Sequence, residues 1–365
     1  MVIDKTIIDM YEKTRTTMLK EVLQKKTAVL EPYAQVIGGC NGKMYQLPLV
    51  GATEVNYRKQ RMQEIEADEL SFDRRNMKPN LFEKFLQWST DDEKFLANLP
   101  INATTFVTQL GHAVERAKDP VLLGTVYDTT LNDFIIMESG YNFTDATDGS
   151  PYKAGTTGGL LGENYIGETG SEKEALPQQP YIKGTGLSDT YTGESSTPLD
   201  CKLTNVIPVN YTGDDDVADS GLTINKVLTV IRCFEERYGL TDGNSLAMAI
   251  TPRQKYELMR EEKLQNADYG FQSLRNGFVN ELLNVKFLVT DAVPLVESNG
   301  AYVRACPVWK PEDLIYGVWE NAKFHMRQPE NMIDQLLVGV TFGMGAARTR
   351  EETVVCVHCD EGLTA

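Results

Sequence analysis

Residues 141–220 differ in composition from the rest of the chain, and this difference limits how the chain can fold. These eighty residues hold eleven glycines, and their thirteen acidic and four basic residues give a net charge of −9. A plain loop of this length is uncommon inside a compact domain, and apolar fragments such as 203–211 are suited to pairing as strands. We therefore predict an α+β fold interrupted over 127–219 by an inserted, irregular, β-rich subdomain that faces solvent.

The whole chain is acidic, which disfavours some classes of function. Its 365 residues include 36 basic and 52 acidic side chains, a net charge of −16 that repels a phosphate backbone. A nucleic-acid reader is therefore disfavoured. No stretch approaches the ~18 apolar residues of a membrane span, and charged residues interrupt the apolar positions at the N-terminus. We expect neither membrane insertion nor export.

Two elements near the N-terminus have too little apolar surface to be stable alone. Apolar residues at helical spacing over 3–28 predict an amphipathic helix, which packs either on its own domain or on a neighbouring subunit. Segments 43–50 and 69–77 predict the two strands of a long hairpin. The residues between them form a basic patch followed by an acidic one, namely Arg58, Lys59 and Arg61, then Glu64 and Glu66. The hairpin is predicted to bind a partner, and a solvated hairpin is the alternative.

The remaining regular elements lie on both sides of the insertion. From residue 80 the pattern predicts helix, with apolar residues at helical spacing until Asp119-Pro120 ends it. After the insertion we predict a helix over 223–238 and a buried strand over 246–250. A capping box with proline at the first helical position, Thr251 to Gln254, then begins another helix. A further helix around 273–283 and a strand over 285–290 follow.

The last sixty residues alternate as strands. Period-two patterns predict strands over 313–319, 322–327, 332–344 and 352–357. We expect them to form an antiparallel sheet that closes the fold. The segments before and after the central unit then combine into one domain, with the other domain inserted between them.

Motifs for catalysis, cofactors and metals are missing or weak. Gly42-Lys43 lacks the earlier glycine of a P-loop, and the glycine-rich run 155–162 is interpreted as a flexible loop. Cys356 and Cys359 point to opposite faces if their segment is a strand, which is poor geometry for a metal or a redox pair. The acidic cluster at 214–219 lacks the spacing of a calcium loop. We predict no enzyme activity, no cofactor and no metal.

Several stretches resemble one family of proteins. They lie in the final third and in the hairpin region: Ala267-Asp268-Tyr269, Phe278, Val285-Lys286-Phe287, Arg348 to Val355, Gly51-Ala52-Thr53-Glu54 and Arg74-Arg75. Together with the order of elements, they make the chain similar to the major capsid proteins of tailed bacteriophages, which share the Hong Kong 97 coat fold. The resemblance covers about 1–125 and 220–360, and the long insertion departs from it.

The resemblance implies a division of the chain into the parts of a coat subunit. The expected parts are an N-terminal arm (1–42), an extended hairpin loop (43–79), a peripheral domain with a spine helix (80–126) completed by a C-terminal sheet (308–365), the inserted subdomain (127–219) and an axial domain (220–307). In this family the arm and the hairpin embrace neighbouring subunits.

The resemblance also implies a function in assembly. We expect pentamers and hexamers of an icosahedral virion capsid, assembled in the host bacterial cytoplasm with a scaffolding protein and a portal, and enclosing double-stranded DNA without reading its sequence. The candidate subunit-interface residues are Arg58, Lys59, Arg61, Glu64, Glu66, Arg74, Arg75, Arg348, Arg350, Glu351 and Glu352. Some relatives form a covalent cross-link between a lysine and an asparagine, which needs a buried carboxylate nearby. No such set of three residues is identified here, and we expect no covalent link.

Three alternatives remain open at this point. An encapsulin-like compartment shares the fold but encloses cargo enzymes. A soluble hydrolase acting through carboxylates is disfavoured by the shortage of histidine, since the chain has three, and by the lack of a nucleophile motif. A monomeric binding module would need the arm and the hairpin to fold back on their own core.

Overall fold

The computed structural model describes part of the chain in fifteen segments. These are residues 27–50, 72–89, 103–128, 131–136, 158–162, 164–166, 172–174, 205–213, 216–217, 219–238, 245–261, 281–298, 301–327, 335–350 and 353–364. Nearly all of the predicted helix 3–28 and most of the predicted helix 273–283 lie outside these residues. None of the described helices has the length and apolar character needed to cross a bilayer.

The described residues form three α-helices and nineteen strands. The helices are α1 (Ala103–Leu123), α2 (Ile224–Tyr238) and α3 (Pro252–Arg260). The strands are β1 (Gln35–Gly38), β2 (Tyr45–Val50), β3 (Phe72–Met77), β4 (Asn80–Ser89), β5 (Thr125–Asp128), β6 (Asp133–Ile136), β7 (Asn164–Ile166), β8 (Glu172–Glu174), β9 (Val206–Ile207), β10 (Tyr211–Gly213), β11 (Asp216–Val217), β12 (Leu246–Ile250), β13 (Glu281–Leu282), β14 (Val285–Val289), β15 (Leu295–Ser298), β16 (Ala301–Trp309), β17 (Leu314–Arg327), β18 (Gln335–Arg348) and β19 (Val354–Thr364).

A nine-stranded mixed sheet contains most of the described strands in the second half of the chain. Its order is β13-β14-β12-β16-β15-β6-β5, with β19 also paired to β16 and β9 paired to β19. All five residues of β12 are buried, as expected for a strand covered on both faces. The predicted helix 223–238, strands 246–250 and 285–290 and capping box are confirmed: Gln254 Oε1 accepts a hydrogen bond from the Thr251 amide at 2.9 Å.

A second sheet, in the order β1-β17-β18-β4, packs against α1. β17 and β18 are antiparallel over almost their whole length, and β4 runs antiparallel along β18 from Asn80 opposite Met344 to Ser89 opposite Gln335. Phe82 of β4 stacks on Phe342 of β18 with ring centroids 5.1 Å apart. The sheet therefore places its apolar face toward the helix.

The predicted hairpin is present in a third sheet. β2 and β3 pair antiparallel from Tyr45 opposite Met77 to Val50 opposite Phe72. β7 and β8, which belong to the insertion, extend this sheet in the order β2-β3-β7-β8. The hairpin thus has a partner within its own subunit.

Two predictions before the insertion are wrong. Residues 80–89 form the strand β4 rather than a helix. Phe82 and Leu86 share a face in a strand as well as in a helix, and pairing with β18 decides between the two. Helix α1 also continues through Pro120 to Leu123. The fully buried Val121, Leu122 and Leu123 offset the missing proline N–H, a cost of about 3 kcal/mol.

The C-terminal strands also differ from the prediction. The two segments 313–319 and 322–327 form one strand, β17, and residues 281–282 of the predicted helix 273–283 form β13. β19 does not join β17 and β18, because it pairs with β16 from Ala301 opposite Thr364 to Trp309 opposite Val354. The chain therefore crosses from one sheet to the other after Arg348.

Parts of the insertion lie in the core instead of facing solvent. Leu160, Leu161, Val206 and Ile207 are almost completely buried and belong to the main apolar cluster. The amides of Leu160 and Leu161 donate to the carbonyls of Leu122 and Leu123 at the end of α1, both at 2.9 Å. The solvent-facing prediction is therefore wrong for these segments, and the glycine-rich run is packed rather than flexible over 158–162.

Candidate assembly surfaces

The hairpin is fixed to the end of β18 by two arginines. Arg75 is 3% exposed, and its Nε donates to the Thr349 carbonyl at 3.0 Å. Arg350 is exposed, and its Nη2 donates to the Val50 carbonyl at 3.0 Å. The structure thus brings together the hairpin and C-terminal stretches that the sequence analysis selected separately. These contacts hold the described hairpin strands, β2 and β3, against the end of β18.

Arg348 has an internal role. Its side chain is completely buried, and Nη1 donates to the carbonyls of Leu160 at 3.2 Å and Gly162 at 2.5 Å. Because both acceptors lie in the insertion, Arg348 holds the insertion against the end of β18. It is not at an exposed subunit edge, which corrects its selection as an interface candidate.

The other candidates fall into two groups. Arg74 is exposed while the neighbouring Arg75 is buried, because successive strand residues point to opposite faces. Arg74 and Arg350 therefore stay interface candidates, whereas Arg75 serves the subunit itself. The remaining predicted residues lie outside the described part of the chain: Arg58, Lys59, Arg61, Glu64, Glu66, Glu351 and Glu352.

A buried ion cluster fixes the C-terminal strand. Arg304 of β16 binds both carboxylate oxygens of Asp133, at 2.8 and 2.7 Å, and Glu361 of β19 at 2.8 Å. Gln254 at the start of α3 donates to the other oxygen of Glu361 at 2.5 Å. Burial opposes the charged form of Arg304, but its hydrogen bonds to Asp133 and Glu361 raise its pKa overall. The hydrogen bonds of this cluster connect β6, β16, β19 and the start of α3, so the cluster stabilises the packing of these four elements.

A second buried group surrounds Lys226 of α2. Its Nζ donates to the carbonyls of Val209 at 3.0 Å, Ser220 at 2.8 Å and His358 at 2.9 Å. Burial lowers the pKa of Lys226 and raises the pKa of the Cys306 and Cys356 thiols. The thiols thus stay protonated and are poor nucleophiles. Among the described residues, no three His, Cys, Asp or Glu side chains are arranged to hold a metal ion.

One edge of β17 is exposed, a feature that is not among the predictions from the sequence. β1 pairs with β17 only over Ile315 to Val318, and every residue of 321–327 is exposed. No described strand pairs with this outer side of β17, which we call the open edge. The alternation of charged and apolar residues over 323–327 indicates an exposed strand. The predicted division into two short strands, 313–319 and 322–327, does not show that this exposed part continues a buried strand.

β4 presents a second exposed apolar surface. Leu81 is 76% exposed and Phe85 is 45% exposed. The Phe85 ring covers Gly339, where a Cβ would lie 2.1 Å from the ring. This face of the second sheet lies opposite the face that packs on α1.

Comparison with known proteins identifies the fold. A model of the phage capsid protein family matches residues 7–154 and 183–361. No curated protein matches the sequence.

Three solved capsid structures illustrate the similarity. The capsid of cyanophage Pam1 has a TM-score of 0.60 at 10% identity and covers 95% of each chain. The capsid of Ralstonia phage GP4 has a TM-score of 0.59 at 10% identity over 97% of this chain and 96% of that one. The capsid of the native GTA particle has a TM-score of 0.59 at 11% identity over 95% of this chain and 94% of that one. The predicted coat fold is confirmed.

Proposed function

We propose, on the premise that this chain belongs to the phage capsid protein family, that its copies assemble as pentamers and hexamers into the icosahedral head of a tailed phage around double-stranded DNA. The chain is a capsid protein with the Hong Kong 97 coat fold. The proposal of assembly into a phage head is supported by one observation: nearly the whole chain aligns with nearly the whole of known capsid subunits. A subunit of this kind acts by repeating its contacts.

Repetition explains how weak contacts can give a stable shell. Exposed ion pairs contribute about 0–1 kcal/mol each, so neither Arg74 nor Arg350 holds two subunits together alone. A closed shell multiplies every contact, because each subunit that joins is held by several neighbours at once. The main contributions come from apolar surface and main-chain pairing, which exposed strand edges offer.

The acidity of the subunit suits the proposed contents. A net charge of −16 per copy repels the DNA backbone at long range. A shell built from acidic subunits encloses a genome without binding it tightly. A scaffolding protein and a portal are the further partners that we propose, with assembly in the bacterial cytoplasm.

The proposed parts of the subunit follow the sequence boundaries except for the strands that pair across them: β19, and the strands β5, β6 and β9, lie in the nine-stranded sheet. We propose that α1, β4, β17 and β18 form the peripheral domain and that the nine-stranded sheet forms the axial domain. β19 then belongs to the axial domain, since it pairs with β16. The arm 1–42 and hairpin 43–79 keep their proposed roles in contacts between subunits.

Imaging of the assembled protein tests this function. The chain is expressed alone and with its neighbouring genes, and the high-molecular-mass fraction is imaged by cryo-electron microscopy. Closed icosahedral shells with pentamers and hexamers are the expected result, with nuclease-protected double-stranded DNA in particles from infected cells. A monodisperse monomer under all conditions would overturn the proposal, and shells that hold only cargo enzymes would replace the phage head by a compartment.

A further inference from the structure

The strand β4 lies at an edge of its sheet, and no described strand pairs with its outer side. The sheet order is β1-β17-β18-β4, and all of β4, from Asn80 to Ser89, pairs with β18 on the inner side. An edge of this kind leaves a row of main-chain donors and acceptors available to one more strand. The outer edge of β4 is therefore suited to pairing between chains.

The other edges of the described sheets are shorter or less suited to pairing. β1, β5, β8, β9, β10, β11 and β13 have four residues or fewer. β2 contains Pro48, and a proline on an edge strand places its missing N–H on the open side. β17 is open over 321–327, where Lys323 and Arg327 lie on one face and repel a second copy of the same strand. β4 has no proline and is the longest of the open edges.

β4 also exposes apolar surface along this edge. Leu81 is 76% exposed and Phe85 is 45% exposed. Both side chains lie on one face of the strand, together with the exposed Glu83 and Gln87. The Phe85 ring packs on Gly339 of β18, where a Cβ would lie 2.1 Å from the ring. A strand added at the outer edge would remove part of this apolar surface from water, which is favourable.

The sequence of β4 is suited to pairing with itself. In an antiparallel pair related by a two-fold axis, one residue lies opposite its own copy. If that residue is Glu83 or Lys84, two like charges face each other, which is unfavourable. If it is Phe85, two aromatic side chains face each other. Glu83 is then opposite Gln87, and Lys84 is opposite Leu86.

The register with Phe85 at the axis also pairs the longest segment. It joins residues 81–89 of the two copies, whereas an axis at Leu86 joins 83–89 and an axis at Phe82 joins 80–84. The two Lys84 side chains are then diagonal neighbours. Lys84 is exposed, and its long stem carries the charge into solvent. This register is therefore the longest that places no like charges directly opposite each other.

We infer that β4 pairs antiparallel with β4 of a second copy of this chain, with Phe85 of each copy opposite the other at a two-fold axis. This inference rests on the proposed function, because it assigns one repeated contact of the shell. An icosahedral shell contains two-fold axes, where one surface can contact its own copy. Main-chain hydrogen bonds then join the two four-stranded sheets into one continuous sheet.

Cysteine cross-linking tests both the pairing and its register. Residues opposite each other in an antiparallel pair have Cα atoms about 4.5–5.5 Å apart, which is within the range of a disulfide. The variant F85C should therefore give disulfide-linked dimers on a non-reducing denaturing gel when assembled particles are treated with diamide. The five described native cysteines are buried, and the unmodified protein measures the background.

Two single variants on the same face of β4 are matched controls. In the inferred register, E83C and Q87C each place a thiol four residues along the strand from its copy, about 14 Å, which is too far for a disulfide. Neither should form dimers. The double variant E83C/Q87C places the two thiols opposite each other across the axis and should form them. This variant keeps Phe85, so it tests the contact independently of any effect of F85C on folding.

The outcomes separate this inference from the proposed function. Normal shells in which neither F85C nor E83C/Q87C forms dimers would overturn the inference and leave the coat function intact. Dimers of E83C alone or Q87C alone would contradict the register, and a link from F85C to a different particle protein would overturn the assignment to a second copy. Absence of shells from the unmodified chain would count against the proposed function, and the same four variants in the soluble fraction would then test the contact.

Charge substitution at the axis gives a second measurement. F85K and F85E each place two like charges opposite each other, which should lower the yield of particles by about tenfold. Co-expression of the two variants pairs opposite charges across the axis and should restore most of the yield. Equal yields for the single variants and the unmodified protein, or no recovery when two folded variants are co-expressed, would contradict the inference.

Discussion

At the scale of single residues, His358 is the most unusual titratable group of the described chain. It lies on β19 with 3% of its surface exposed, and its Nε2 atom has no hydrogen-bond partner among the described residues. Burial, and secondarily the nearby charge of Lys226, lower the pKa of His358 from 6.5 to about 4. The folded subunit therefore holds this imidazole in its neutral form.

This residue should make the subunit sensitive to acid. The unfolded chain binds a proton at His358 near pH 6.5 and the folded chain only near pH 4, so stability is complete above pH 6.5 and falls as the pH drops toward 4. The shift corresponds to about 3 kcal/mol of unfolding free energy. In urea denaturation of the unassembled subunit, H358L should lose less stability than the unmodified protein over this range. Parallel pH profiles for the two proteins would contradict the assignment.

At the scale of elements, the junction between α1 and the insertion depends on close backbone packing. Gly124 ends α1 with φ of +74°, and a Cβ at this position would lie 2.1 Å from the Gly158 carbonyl oxygen. The backbone of 158–162 can approach the helix end only because no side chain intervenes. This approach buries Leu160 and Leu161 and gives Arg348 its carbonyl acceptors.

A matched pair of glycine substitutions should separate backbone strain from this close approach. Gly39 has nearly the same φ, +73°, but a Cβ there meets nothing within 4 Å. G39A should cost about 1 kcal/mol of unfolding free energy from strain alone, whereas G124A should cost at least about 3 kcal/mol because the insertion must move. Denaturant unfolding of both variants measures the difference. Equal costs would show that the insertion does not depend on the approach.

Local sequence patterns are sufficient to predict some of the elements but not others. The capping box at Thr251 and Gln254 predicts the start of α3 because its hydrogen bonds lie within four residues. The pattern after residue 80 fails because Phe82 and Leu86 fit a helix and a strand equally well. Arg348 is predicted to be a subunit-interface residue, and no local signal distinguishes such a residue from an arginine that binds buried carbonyls.

At the scale of the whole molecule, assembly brings together many copies that each carry a net charge of −16. Long-range repulsion between copies opposes association, while the contacts at strand edges act only at short range. Salt screens the first more than the second, because the Debye length falls from about 10 Å at 0.1 M to about 3 Å at 1 M.

Salt should therefore promote shell formation. The protein concentration at which particles first appear should fall severalfold as sodium chloride rises from about 0.05 M to about 0.5 M. Light scattering and sedimentation velocity measure this threshold, with sucrose as an uncharged control. A threshold that rises with salt would show that ion pairs between subunits, rather than net repulsion, dominate assembly.

The sequence by itself determined the elements whose signals are local: the hairpin strands, the helix α2, the buried strand β12 and the capping box. It also supported the family, because the order of these elements is a property of the chain. The tertiary structure alone decided where the insertion packs, which sheet β19 joins and which arginines are buried. These outcomes depend on contacts between residues far apart in sequence, such as Arg348 with Gly162 and Ala301 with Thr364. Neither periodicity nor composition records such contacts.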